Sequence, residues 1–354
     1  MTERTMVPIF DGHNDVLYRL HTAQEADKVR LFTQGAPAHW HIDLPRAKRG
    51  GFAGGMFAVF TPSPELADAS PTKPSIYSIN EPLPPALPLD EARVMTIAMA
   101  SILFDLDRAG VVSLCRTTAD IQAAMEKDII AAIFHIEGAE SIDRDLTMLE
   151  ALHAVGLRSI GPVWSRPNIF GHGVPFRYPS SPDTGPGLTE VGKALVRTCN
   201  QMGILVDLSH LNEKGFRDVL ALSDAPLVAT HSNVHRICPH ARNLTHWQLG
   251  AIRETGGMVG LNFETSFLSP DGRESADTGL DLMLRHTDEL LEWLGEDGVG
   301  MGSDFDGASI PDVVEDASGL QRIIEAFRGH GYGDELIEKI AWKNWLAMLE
   351  KTIG

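Results

Sequence analysis

The chain has 354 residues, 43% hydrophobic and 22% charged, enough for one large α/β barrel or two smaller domains. Its 48 Asp and Glu against 30 Lys and Arg give a formal net charge of -18, which argues against a nucleic-acid surface and against a polybasic membrane contact. Three cysteines, Cys115, Cys199 and Cys238, lack CxxC spacing and read as reduced thiols, not a disulfide framework. No stretch has the length and apolarity of a membrane span, and Met1–Met6 lacks the apolar core of a signal peptide. The expectation is a soluble, cytoplasmic protein.

In chain order, short apolar runs alternate with helical stretches. Val7–Phe10 and Gly54–Thr61 come first, then helix Leu89–Ala109 and the run Ile129–Ile136. Helix Leu146–Val155, run Leu157–Val163, helix Glu190–Met202 and run Ile204–Leu208 follow. The pattern continues through helix Glu213–Leu222, run Leu227–Thr230, helix Thr245–Thr255 and run Met258–Asn262. Helix Gly279–Leu294, run Val299–Gly302, helix Leu320–Arg328 and a closing helix over Asp334–Lys351 complete it. Runs that are continuously apolar, not alternating, suit parallel strands buried on both faces. Eight of them predict a (β/α)8 TIM-like barrel over residues 1–354, of the metal-dependent hydrolase type argued below. No Gly-x-Gly-x-x-Gly follows the first run, so a dinucleotide fold has no support. Trp342, Trp345 and Leu349 fall at helical spacing in the closing helix and read as packing.

One segment departs from this grammar. Residues 62–88 carry Pro62, Pro64, Pro71, Pro74, Pro82, Pro84, Pro85 and Pro88, which rules out regular helix or central strand. It reads as a loop insertion after the second strand, on the side of the barrel where active sites form.

Catalytic residues of such barrels sit at the carboxyl ends of strands, so the residues that end each run are informative. The first run leads into Asp11-Gly12-His13-Asn14-Asp15, whose His and Asp, two apart on a strand, share a face. The third ends in Glu137, the fifth in His210, the sixth in His231 and the eighth in Asp304-Phe305-Asp306. A single strand-end His is more often a hydrogen-bonded structural residue than a ligand, and Glu137 alone is open to reading as an N-cap of the next helix. Five strand ends carrying such groups argue against accident, and imidazole with carboxylate is a donor set for a divalent metal.

Five ligands exceed what one open catalytic ion takes, so the reading is two ions. His13 and Asp15 serve one, His210 and His231 the other, and Glu137 lies between them. Without thiolate the set fits Zn2+ best, with Mn2+ or Co2+ as alternatives. Asp304 remains as the general base that activates water and returns the proton to a leaving amine.

These residues in this order resemble the renal dipeptidase (membrane dipeptidase) family of the amidohydrolase superfamily. The matching pieces are Asp11–Asp15, Gly54-Gly55, Ile136-Glu137-Gly138 with Ser141-Ile142-Asp143, and Asp207-Leu208-Ser209-His210. His231-Ser232, Arg242-Asn243 and Gly302–Gly307 extend the likeness through almost the whole chain. The resemblance implies a binuclear zinc barrel that hydrolyses dipeptides, L-Xaa-D-Xaa substrates among them, and forms a homodimer. It implies His13, Asp15, Glu137, His210 and His231 as ligands, Asp304 as the catalytic acid–base, and Arg242 as the partner of the substrate carboxylate. A guanidinium fork suits that last role.

The chain departs from the family where many relatives carry a His after the fourth strand. Trp164 stands at or beside that place, and an indole donates a hydrogen bond but carries no proton. The expectation is that the metals alone stabilise the oxyanion, or that Arg166 or His172 reaches the substrate from the same loop. The alternative function is another amidohydrolase-type hydrolase, an N-acyl amino-acid deacylase or lactonase. A carboxylated bridging Lys would favour it, and no run ends in such a Lys.

Overall fold

A computed structural model describes residues 6–63 and 83–354. Among the described residues nine strands form one sheet: β1 (Ile9–Asn14), β2 (Phe52–Phe60), β3 (Val112–Leu114), β4 (Ile130–Glu137) and β5 (Leu157–Gly161) come first. They are followed by β6 (Leu205–Val206), β7 (Val228–Ala229), β8 (Met258–Leu261) and β9 (Val299–Met301). Their order is β6-β5-β4-β2-β1-β9-β8-β7, all parallel, with β3 beside the start of β4. A parallel bridge between Asp207 and Val228 joins the two ends of that order and closes the barrel. The (β/α)8 expectation therefore holds, with one addition: β3 takes the edge of β4 at Ile130–Ala132, before β5 pairs from Phe134 onward.

The period-two alternation of β4 shows how the sequence aims its side chains. Ala132, Phe134 and Ile136 pack outward in the layer between strands and helices. Ala131 and Ile133 point into the barrel with Phe10, Met56, Leu205, Val228 and Met258. Continuing the inward series by twos places His135 and then Glu137 on the same inner face, at the carboxyl end. The apolar floor and the polar rim are thus two stretches of one strand face.

Helices cover the outside, and their ends follow local chemistry. Thr189 and Asn212 cap Glu190–Met202 and Glu213–Leu222 by accepting from Gly192 N and Gly215 N, and Gly203 ends the first in the left-handed region. The expected closing helix is interrupted: Asp334–Glu338 and Asn344–Thr352 are α-helical, but Lys339–Lys343 forms a π-turn between them. It carries Trp345 under the barrel, where the indole is fully buried and donates to Met301 O at 2.8 Å. Gly12 and Gly300 make room for that ring, since a Cβ on them would lie 2.4 and 2.6 Å from indole atoms.

Most of the Pro-rich 62–88 segment lies outside the described residues, and residues 83–88 precede helix Leu89–Arg108 without regular structure. Among the described residues no helix is long and apolar enough to cross a membrane.

Candidate metal centre

Strand ends bring the sequence-selected residues to one rim. His13 lies near the end of β1, and Asp15, one residue past that strand, starts the following helix. Glu137 closes β4. His210, His231 and Asp304 lie just beyond β6, β7 and β9. His210 and Asp304 hold φ angles of 67° and 59°, a left-handed conformation that costs free energy for residues with a Cβ. Strain held at two of six converging residues is the kind that accumulates at functional sites.

Glu137 is the hub of the cluster. Its Oε1 lies 3.0 Å from His210 Nε2, 3.3 Å from His231 Nε2 and 3.6 Å from His13 Nε2. His13 Nε2 is 3.4 Å from Asp15 Oδ2, and the His13 ring stacks on His231 with centroids 3.9 Å apart. Asp304 closes the group: its carboxylate reaches the neighbourhood of His13 and Asp15, and its backbone N–H donates to His13 O at 3.0 Å.

The charges of these groups explain what the cluster wants. Burial, reinforced by the Arg242 charge, holds the His210 imidazole well below its ordinary range; burial and the His13 charge do the same for His231. Burial thus favours the uncharged form of both rings. Burial also disfavours charge on His13, but Glu137, Asp15 and Asp304 override it and lift that imidazole to about 10. Burial pushes the Glu137 carboxyl well up and raises that of Asp304, against the pull of His13.

The donor chemistry fits a divalent metal. His210 and His231 aim Nε2 at each other across 3.1 Å and at the same carboxylate oxygen. His13 Nδ1 and Nε2 and Asp15 Oδ1 are buried and form no hydrogen bond. Buried polar atoms are normally satisfied, and a cation would satisfy the Asp15 oxygen together with one bare ring nitrogen of His13. His13, Glu137 and His231, and again His13, Asp15 and Asp304, offer ligand atoms close enough together to share an ion.

The residues read as substrate contacts are placed differently from one another. Arg242 is buried beside the cluster: Nη2 donates to His231 O at 3.1 Å, and Nη1 stands 3.5 Å from Ser232 Oγ. Its guanidinium lies 5.4 Å from the Phe267 ring. Trp164 borders the cluster, 5.8 Å from the His210 ring and within 5.0 and 5.5 Å of Phe60 and Phe176, as part of an aromatic wall. Arg166 is fully buried, and its donors are engaged by Glu140 Oε1 and Ser63 Oγ, each at 2.9 Å, and by Thr61 O at 2.5 Å. It ties the exits of β2, β4 and β5 together. His172 pairs with Pro167 in an isolated antiparallel bridge; among the described residues it makes none of the hydrogen bonds, ion pairs or ring contacts that join the cluster.

Sequence reasoning passed over the supporting groups. Asn262, just after β8, donates Nδ2–H to Asp304 Oδ2 at 2.9 Å. Ser165 Oγ sits 2.8 Å from His210 Nδ1, and Thr230 Oγ1 the same distance from His231 Nδ1. Asp11 accepts from Ser303 N and Oγ at 2.7 and 2.8 Å, joining β1 to the exit of β9; burial pushes its carboxyl up to about 7. The only available signal was position at a strand end, which Asn262, Thr230 and Ser303 share with the selected residues.

A profile of the membrane dipeptidase family (peptidase family M19) matches residues 4–353. A metallo peptidase from Rhodobacter sphaeroides, solved with a phosphinate mimic of the dipeptide L-Ala-D-Ala, superposes with a TM-score of 0.94 at 51% identity. The match covers 98% of this chain and 100% of that one. Dipeptidase AC, a metallo peptidase of family M19, is 51% identical with a TM-score of 0.93, over 99% and 100% of the two chains. An uncharacterized protein in the pqqA 5' region of Klebsiella pneumoniae is 48% identical over 244 residues, 69% of this chain and 90% of that protein.

Proposed function

The chain belongs to the membrane dipeptidase family, and from that premise we propose that it hydrolyses free dipeptides, L-Xaa-D-Xaa among them, at a two-zinc centre. The observation that carries the reading is the convergence of His13, His210 and His231 on one oxygen of Glu137, with Asp15 alongside. His13 and Asp15 would hold one ion, His210 and His231 the other, and Glu137 both. When bound, such ions supply a water acidic enough to ionise near neutral pH and draw electron density from the scissile carbonyl. A phosphinate is tetrahedral at phosphorus, so the ligand of the Rhodobacter sphaeroides relative has the shape a dipeptide takes after water adds to its carbonyl.

The chain's own groups do the rest. Asp304, steadied by Asn262, accepts the proton of the attacking water and delivers it to the departing amine nitrogen. Arg242 offers its guanidinium to the terminal carboxylate of the substrate, in an orientation set by His231 O and Ser232. That anchor limits the length of the substrate, because one more residue moves the carboxylate by about 3.3–3.6 Å. The aromatic wall of Phe60, Trp164 and Phe176 flanks His210 and keeps bulk water from that side.

Arg166 serves this reading as the brace of the loop that carries Trp164 and Ser165, not as a hand on the substrate. The free, buried cysteines, whose thiols burial pushes up to about 12, suit a reducing compartment, and we place the enzyme in the cytoplasm as a homodimer.

The test is a screen of zinc-loaded protein against L-Xaa-D-Xaa and L-Xaa-L-Xaa dipeptides, their C-terminal amides, N-acyl amino acids and lactones. Cleavage confined to free dipeptides supports the proposal. Preference for the acyl amino acids or lactones replaces it with the broader amidohydrolase reading.

A further inference from the structure

Asp207, buried at the exit of β6, borders the cluster described above, and with His135 it brings ligand atoms close to those of His13. Its Oδ1 accepts from the backbone N–H groups of Ser209 at 3.0 Å and Thr230 at 2.8 Å. Its Oδ2 meets Thr230 Oγ1 at 2.6 Å. The same hydroxyl oxygen lies 2.8 Å from His231 Nδ1. Asp207 Oδ2 and His231 Nδ1 are themselves 3.9 Å apart, beyond hydrogen-bond reach. His135 Nε2, at 3.8 Å, is also too far from Oδ2 for a direct bond. The Thr230 hydroxyl is therefore the bridge between this carboxylate and the His231 ring.

Counting protons along the bridge fixes the state of the ring. A carboxylate only accepts, so the single hydroxyl proton of Thr230 points at Asp207. The hydroxyl oxygen then faces His231 as an acceptor, and the proton between them belongs to Nδ1. A neutral imidazole carries one N–H, which leaves Nε2 bare. Nε2 is the atom aimed at Glu137 and His210. His210 is not determined in this way, because Ser165 Oγ can donate to its Nδ1 or accept from it.

We infer that Asp207 and Thr230 are positioning residues, a hydroxyl relay that locks His231 in the Nδ1–H tautomer and so presents a bare Nε2 to the metal centre. In the wrong tautomer an N–H would point into the cluster and the ring could not ligate. The inference rests on the metal reading for its purpose, but the tautomer itself is a property of the chain alone. Groups that orient a ligating imidazole commonly change metal affinity by about 10–100-fold when removed.

The test is made on the full chain, with and without zinc. Long-range 15N NMR of the metal-free protein reads the tautomer, with the His231 signals identified by their loss in His231→Gln. The wild-type ring should be protonated at Nδ1 and bare at Nε2. Thr230→Val keeps the shape without the hydroxyl; it should populate the Nε2–H tautomer and weaken one of the bound zinc ions about 10–100-fold in a chelator competition. Thr230→Ser should restore both properties, and a purely structural role would not respond in that pattern. Nε2–H in the wild-type chain overturns the relay, however the variants fold, and so do an unchanged tautomer and zinc affinity in Thr230→Val. A wild-type chain that shows the relay but takes up no zinc keeps the tautomer assignment and removes the metal reading instead.

Discussion

Asn262 and Asp304, 42 residues apart on adjacent strand exits, meet side chain to side chain: Asn262 Nδ2 donates to Asp304 Oδ2 at 2.9 Å. The amide is itself held in place. Its Oδ1 accepts from Glu264 N at 2.6 Å, and the backbone of Asn262 exchanges hydrogen bonds with the Asn233 side chain at 2.9 and 3.0 Å. Burial raises the Asp304 carboxyl and the Asn262 donor pulls it back, so the pair keeps an acceptor ready in a place that disfavours charge.

Asn262→Ala should therefore lower kcat about 10- to 100-fold, the worth of a hydrogen bond to a charged group. KM and zinc content should change less than kcat, because the amide's other donation, at 3.4 Å to the His231 backbone oxygen, leaves the ligating ring itself untouched. Steady-state kinetics beside metal analysis checks this, and an unchanged kcat would dismiss Asn262 as a support for Asp304.

Asp304→Asn should retain its metal but lose about 10²–10⁴-fold in turnover, since the amide keeps the shape and cannot accept the proton. Near-normal activity would take the acid–base role away from Asp304. Asp306 is a poor substitute, because its carboxylate already accepts from His41 N and Ile42 N at 2.8 and 3.1 Å.

Arg242→Ala should damage hydrolysis of free dipeptides much more than that of C-terminally amidated ones. The charge-assisted pair is lost with the first substrate and never forms with the second. Equal losses on both, read as kcat/KM, would remove Arg242 as the carboxylate anchor.

Arg166→Met leaves Glu140 buried without its partner and should cost about 3–5 kcal/mol in denaturant unfolding, the range for breaking a buried ion pair. Arg166→Met with Glu140→Leu should recover part of that loss. Full stability in the single variant would mean that the brace between the exits of β2, β4 and β5 is dispensable.

The barrel and its rim were legible in the sequence because both follow from strong local rules. A strand buried on both faces must be continuously apolar, and a barrel strand offers its chemistry where the apolar run stops; Ile129–Ile136 followed by Glu137 shows both at once. What was not legible depends on short elements or distant partners. β3 is three residues long, too short for a periodic signal. The π-turn at Lys339–Lys343 leaves the spacing of Trp342 and Trp345 looking helical. The chain leaves three options beside Trp164, namely the metals alone, Arg166 or His172, and cannot show that Arg166 is engaged by Thr61 and Ser63, about a hundred positions away. Likewise, only the folded chain sets Ser165 beside His210, 45 residues on.

The central claim is that Glu137 joins two metal ions, and metal stoichiometry with its Glu137→Gln variant tests it most directly. Elemental analysis of protein loaded with zinc and freed of excess should give two ions per chain. Glu137→Gln, which offers a neutral amide in place of the shared carboxylate, should bind fewer. One ion per wild-type chain, with the same content in Glu137→Gln, would contradict the account.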